Sequence, residues 1–244
     1  MSPGDLASLL AAGVLASVYA LNLGAGGSRF WERRQWISAA AGVSVAYVFV
    51  DILPELAAQN EALRHAAGEL QFAEQRIYLL ALVSFVVMYG IEHIVLTRRE
   101  HSREADAREA RDPIYWLHIG GYAAYSALIG YLLIERSERG EVALVIYALA
   151  MAIHFLVVNH ALAEEHGELY RRHGHWVLAA SILAGWVLGI VAPLSEIALA
   201  RLFALLAGGV VIASLRSELP DDRRGRFWPF CAGAVLFSML LLFA

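Results

Sequence analysis

Residues 142–163 read VALVIYALAMAIHFLVVNHALA, an apolar run interrupted only by His154, Asn159 and His160. A helix needs about 20 apolar residues to cross the hydrocarbon core of a bilayer. The run therefore predicts a transmembrane helix, and seven other stretches predict seven more. The eight predicted spans are 6–24, 36–57, 77–97, 113–134, 142–163, 176–194, 197–215 and 227–244. The predicted fold is an all-α integral membrane protein, with residues 1–244 in a single transmembrane domain.

The composition limits the classes of function. Of the 244 residues, 59% are hydrophobic and 17% are charged, and the mean hydropathy is +0.56. Ordinary soluble domains carry about 25% charged residues, so this apolar excess argues against a soluble enzyme or a disordered chain. A net charge of −4 offers no basic surface for nucleic acid. Cys231 is the one cysteine, which excludes an intrachain disulfide and a cysteine-based zinc cluster.

Arginine placement predicts the orientation. With the eight spans alternating, fourteen of the nineteen arginines fall on one side of the membrane and five on the other. Cytoplasmic loops carry the excess of positive charge, so both termini are expected outside. The expected location is the inner (cell) membrane of a bacterium.

Two segments are similar in sequence but run in opposite directions. Residues 41–55 read AGVSVAYVFVDILPE and residues 207–221 read AGGVVIASLRSELPD. Both begin Ala-Gly and end with Leu-Pro and an acidic residue. Inverted repeats of this kind are typical of secondary transporters. The pattern predicts that helices 1–3 and 6–8 are two copies around helices 4 and 5; chance similarity between two apolar helices is the alternative.

Polar residues inside apolar spans are costly and are candidates for function. In predicted helix 4, His118, Tyr122, Tyr125 and Ser126 fall on one helical stripe. We expect Tyr125 and Ser126 to line a transport pathway and His118 to bind a metal. His118 lies near the end of its span, so a hydrogen-bonding role at the membrane interface is the alternative.

Predicted helix 5 carries His154 near its middle, and His160 and Glu164 near its end. Residues four apart share a helix face, so His160 and Glu164 could chelate one ion, and imidazole with carboxylate suits zinc-type metals. We therefore expect His154, His160 and Glu164 to be metal ligands. Glu164, with the two residues that follow it, could instead form only the solvated end of the helix.

Carboxylates also occur on two earlier spans. Asp51 and Glu55 lie near the outer end of predicted helix 2, and Glu92 and His93 lie near the inner end of predicted helix 3. All four are expected along the transport pathway. The alternatives are that Asp51 and Glu55 cap a bent helix end, and that His93 is an interfacial hydrogen-bonding residue.

The chain resembles the ZIP (ZRT/IRT-like) family of divalent-metal transporters. The resemblance is carried by eight spans, outward termini, a long loop at 98–112, the motif DILPE at 51–55, and LFALLAGGVVIASLRSELP at 202–220. It implies a membrane transporter that moves a divalent cation, zinc-type, by alternating access, with no enzymatic activity and no firm cofactor beyond the ion as substrate. It also implies a homodimer in a lipid bilayer.

The motifs that bind metal in that family are altered here. On helix 4, Tyr125 and Ser126 replace ligands of the family pattern; on helix 5, His154 keeps the first ligand position, while Phe155 and Val158 replace acidic residues. The alternative function is therefore a ZIP-fold membrane protein that has lost the standard metal site and acts as a non-metal permease, a sensor or a structural subunit.

A third class is a membrane-embedded redox or hydrolytic enzyme. In that case His93, His118 and His154 could hold haem in pairs or a catalytic zinc as a trio.

Overall fold

The structure is a computed structural model that describes residues 3–23, 34–58, 73–101, 113–218 and 226–243. Within these ranges the chain is helical and contains no strand. The long loop expected at 98–112 lies outside the described residues from position 102 onward. The helices are α1 Pro3–Ala20, α2 Arg34–Tyr47, α3 Ala73–His101, α4 Pro113–Glu138, α5 Glu141–Leu169, α6 His175–Val191, α7 Glu196–Glu218 and α8 Phe227–Phe243. Two π-helical turns, Val48–Ile52 and Tyr170–Gly174, follow α2 and α5.

Several helical segments are long and apolar enough to cross a membrane. In the described part of the chain there are six: Pro3–Ala20, Gln35–Ala58, Ile77–Thr97, Pro113–Glu138, Glu141–Val191 and Glu196–Ala213. The apolar α8 is shorter. Six or seven such helices indicate a membrane protein, which confirms the fold class at this level. The expectation of eight spans stays a prediction.

The surface of the bundle is apolar as well as its interior. The outward face of α3 carries Leu82, Val83, Val86 and Val87, each more than half exposed. On α8, Leu236 and Leu242 are exposed to a still greater extent. A soluble protein would aggregate through apolar patches of this extent, whereas lipid tails are a favourable environment for them.

The segment Glu141–Val191 changes direction at Gly167. Its backbone angles there are φ +53° and ψ −128°, a non-helical conformation suited to glycine. α5 runs antiparallel to α4, since the Tyr147 hydroxyl donates to the Ile129 carbonyl near one end and His166 contacts His118 near the other.

After the reversal, α6 runs parallel to α4. Gly174 lies beside Tyr115 near one end of the pair, and Gly189 lies beside Ile134 near the other. Between them, a Cβ on Gly185 would overlap the carbonyl oxygen of Ala127. Glycine therefore allows the backbones of α4 and α6 to come into direct contact.

Two further helix pairs make a matching close contact. A Cβ on Gly42 of α2 would overlap the backbone of residues 230–234 of α8, and a Cβ on Gly208 of α7 would overlap the backbone of residues 81–85 of α3. In each case the nearest atoms are a carbonyl oxygen and the amide nitrogen four residues later. Gly42 and Gly208 occupy the same position in the two similar sequence segments.

Candidate functional site

The polar stripe of α4 faces inward. His118, Tyr122, Tyr125 and Ser126 are all buried. The Tyr125 hydroxyl lies 3.3 Å from Nε2 of His154 on α5. Polar side chains of α4 and α5 therefore meet inside the bundle at this level, while the transport pathway expected beside Tyr125 and Ser126 stays a prediction.

The first part of the site surrounds His154, whose side chain is 1% exposed. Tyr125 contacts one nitrogen of the imidazole. Among the described residues no hydrogen-bond partner reaches its Nδ1. Leaving a buried polar atom unpaired costs about 1–3 kcal/mol. An imidazole with two hydroxyls is a weak ligand set for a divalent cation.

The second part of the site lies at the opposite end of the α4 stripe and joins three helices. Nε2 of His118 lies 3.0 Å from Oε1 of Glu92 on α3, and the Tyr122 hydroxyl donates to the same oxygen at 2.8 Å. Nδ1 of His118 lies 2.7 Å from Nε2 of His166 on α5. A chain of hydrogen bonds thus connects α3, α4 and α5.

Glu165 completes this group. One ligand atom each from His118, Glu165 and His166 lies within 4.8 Å of the others, and all three residues are buried. The Tyr115 ring makes a T-shaped contact with His166, with 4.9 Å between the ring centroids. We call Glu92, His118, Tyr122, Glu165 and His166 the His118 cluster.

Other predicted ligands lie outside this cluster. His160 and Glu164 approach within 3.6 Å of each other, but the Glu164 side chain is 70% exposed. His93 is exposed and stacks on Tyr89 at 6.2 Å between ring centroids. In the described ranges His93, His118 and His154 do not form a common group of ligand atoms.

Glu165 and His166 were not among the predicted ligands, although the sequence contains a signal for them. Phe155, Val158 and Leu162 form the buried face of α5. Continuing that face by three and four residues from Leu162 leads to Glu165 and His166. The predicted pair, His160 and Glu164, has the correct spacing but lies on the more exposed face of α5.

The far end of α4 holds a network of opposite charges. Nη2 of Arg136 lies 3.0 Å from Oδ2 of Asp51, and Nη1 of Arg139 lies 2.5 Å from Oε2 of Glu55. Arg139 also pairs with Glu135. We call these five residues the Arg136 network. Asp51 and Glu55, expected to line a cation pathway, are thus paired with arginines, and these pairs connect the segment after α2 to α4.

The buried guanidinium of Arg136 also lies over two aromatic rings. Its centre is 4.9 Å from the ring centroid of Phe203 on α7 and 5.6 Å from that of Tyr147 on α5. These cation–π contacts extend the Arg136 network to two more helices.

Comparison with known proteins does not name a family. The chain matches no protein-family model, and no curated protein matches it. The site is therefore interpreted from its own geometry and chemistry.

Proposed function

We propose that the protein is a ZIP-like membrane carrier that moves a divalent transition-metal cation, zinc-type, through the interface between α4 and α5 by alternating access. The observation that carries this proposal is the buried polar line along that interface. His154 meets Tyr125 at one level of the line and His118 meets His166 at another. Buried polar and ionisable groups along one interface of an apolar bundle are typical of solute pathways.

The proposed architecture is eight spans, with an inverted repeat of helices 1–3 and 6–8. Besides the matching glycines, a reciprocal contact supports it. The Ser84 hydroxyl of α3 donates to the Leu205 carbonyl of α7 at 2.7 Å. Gly233 of α8 lies against the Ala39 carbonyl of α2. Gly208 touches the backbone of residues 81–85, and Ser84 lies three residues after the start of that segment. Gly42 touches the backbone of residues 230–234, and Gly233 lies three residues after the start of that segment. The two helix pairs therefore follow one packing pattern.

In alternating access, one group of helices moves against another and opens each end of the pathway in turn. The ion pairs of the Arg136 network hold the segment after α2 against α4 at one end. Opening that end would require Asp51 to separate from Arg136 and Glu55 to separate from Arg139. The freed carboxylates would then be available to attract a cation. With the proposed orientation, this end faces outward in the inner membrane of a bacterium, and the carrier would be a homodimer.

A second candidate function is a ZIP-fold membrane protein without metal transport: a permease for another solute, a sensor or a structural subunit. It is favoured by the surroundings of His154. In the part of the chain that the structure describes, the one hydrogen-bond partner of its imidazole is a hydroxyl. No anion in that set of contacts offsets the charge of a divalent ion.

Uptake by proteoliposomes tests the proposal. Purified protein is reconstituted, and entry of Zn²⁺ is followed with an enclosed fluorescent chelator. We expect wild-type protein to accelerate entry, His154→Ala to abolish the acceleration, and His173→Ala to leave it unchanged because His173 is exposed. Wild-type rates in His154→Ala would exclude the proposed pathway. Absence of uptake by folded wild-type protein would favour the second candidate.

A further inference from the structure

The His118 cluster has the composition of a metal site. Two imidazoles and two carboxylates from three helices meet at the end of the α4 stripe, and all four side chains are buried. We propose that it binds one divalent transition-metal ion through Nδ1 of His118, Nε2 of His166 and a carboxylate oxygen of Glu165, and that Glu92 is a positioning residue. Metal binding at this site does not depend on the proposed function. Only the role of the bound ion as the transported substrate rests on it.

The hydrogen bonds select which nitrogen of His118 faces the metal. Oε1 of an ionised Glu92 can only accept, so Nε2 of His118, at 3.0 Å, donates to it. The lone pair of the neutral imidazole is then on Nδ1, which points at His166. Metal-binding histidines commonly donate their other ring nitrogen to a carboxylate in this way. The Tyr122 hydroxyl holds the carboxylate by donating to the same oxygen.

The spacing of the ligand atoms suits a transition metal after small side-chain movements. Zinc lies about 2.0–2.1 Å from its nitrogen ligands, so two ligands of a tetrahedral ion are about 3.3 Å apart. Nδ1 of His118 and Nε2 of His166 are 2.7 Å apart, and a carboxylate oxygen of Glu165 lies within 4.8 Å of one ring nitrogen of each histidine. The nitrogens must separate slightly and the oxygen must approach. The proton that lies between the two nitrogens must also leave before both can bind a metal ion.

The charge and the donor types favour a divalent ion of intermediate softness. With both carboxylates ionised and both imidazoles neutral, the cluster carries two negative charges. A divalent cation would neutralise them, and buried charges are stable only when they are compensated. Two nitrogens with a carboxylate oxygen favour zinc, cobalt or nickel over magnesium or calcium, which prefer oxygen ligands alone.

Metal binding by the purified full-length protein in detergent tests the site. We expect Co²⁺ to bind with one-to-one stoichiometry and to give the visible absorption bands of a mixed nitrogen–oxygen site. Zn²⁺ is expected to displace it. His166→Ala and the nearly isosteric Glu165→Gln should lose stoichiometric binding. The matched controls His173→Ala and Glu168→Gln, both at exposed positions in the same region, should keep it.

Glu92→Gln separates positioning from ligation. We expect Co²⁺ affinity to fall about 10–100-fold, as is usual when the hydrogen-bond partner of a metal ligand is lost, with the absorption spectrum of the saturated protein unchanged. A changed spectrum would make Glu92 a ligand and contradict its positioning role. Unchanged affinity would likewise contradict that role.

Other outcomes separate the metal site from the carrier. Failure of folded wild-type protein to bind Co²⁺ or Zn²⁺, or wild-type binding by Glu165→Gln, would overturn the site and leave the cluster as a structural hydrogen-bond network. If Glu165→Gln loses Co²⁺ binding and wild-type proteoliposomes take up no Zn²⁺, the site is established and the carrier function is contradicted. Wild-type uptake by His166→Ala and Glu165→Gln proteins that no longer bind Co²⁺ would leave the site and the carrier standing and contradict only the inference that the ion at this site is the transported substrate.

Discussion

Breaking the Arg136 network should cost stability. Nη2 of Arg136 lies 3.0 Å from Oδ2 of Asp51, and the two side chains are 5% and 26% exposed. Removing one partner of a fully buried ion pair costs about 3–5 kcal/mol. Because water reaches Asp51 in part, we expect Asp51→Asn to lower the free energy of unfolding by about 2–3 kcal/mol. The nearest remaining carboxylate oxygen, on Glu135, is 3.9 Å from Nε of Arg136.

A double-mutant cycle isolates the pair. The variants Asp51→Asn, Arg136→Met and their combination would be unfolded in mixed detergent micelles and compared with wild type. We expect a coupling energy of about 2 kcal/mol. The internal control is Glu55 with Arg139, whose side chains are 21% and 34% exposed. That more exposed pair should couple by about 0.5–1 kcal/mol.

The same cycle distinguishes a structural carboxylate from one that only attracts ions. A coupling energy between Asp51 and Arg136 no larger than that of the control pair, about 0.5–1 kcal/mol, would refute the structural argument. Reduced Zn²⁺ uptake by an Asp51→Asn protein of wild-type stability would instead indicate that Asp51 acts only on the ion.

Glycine substitutions test the backbone of the bundle. Gly167→Ala should lower the free energy of unfolding by about 1–2 kcal/mol, because a residue with a Cβ is strained at φ +53°. In the control Gly13→Ala the new Cβ meets nothing within 4 Å, so this variant should be neutral or slightly stabilising. Thermal melts compare the two variants, and equal losses of stability would contradict backbone strain at Gly167. On α4, Gly130→Ala should destabilise strongly because its Cβ would overlap the backbone of Ile182, whereas Gly120→Ala meets nothing. Similar unfolding curves for the last two variants would mean that α4 and α6 pack less closely than described.

The membrane class and the helices could be predicted from the sequence because both depend on local properties. The hydropathy of about 20 consecutive residues depends on that segment alone. The predicted span 142–163 accordingly lies within α5. The polar stripe from His118 to Ser126 is also local, because the helix period alone places those residues on one side.

The partners of the functional side chains could not be predicted in the same way. Glu92 on α3 meets His118 on α4, 26 residues later in the chain, and the rotation and depth of each helix decide that contact. The i,i+4 rule gave His160 and Glu164 as a pair, but only helix packing determines which face is buried. Asp51 and Glu55 are also paired with arginines far away in the sequence.

By itself, the sequence determined that this chain is a bundle of apolar helices with polar residues on α4 and α5, since helix period and hydropathy belong to single segments. The tertiary structure decided that Glu165 and His166, rather than His160 and Glu164, meet His118. The reversal at Gly167 and the close α4–α6 contact set the position of the end of α5 against its neighbours. Such positions result from the packing of whole helices, and no single segment encodes them.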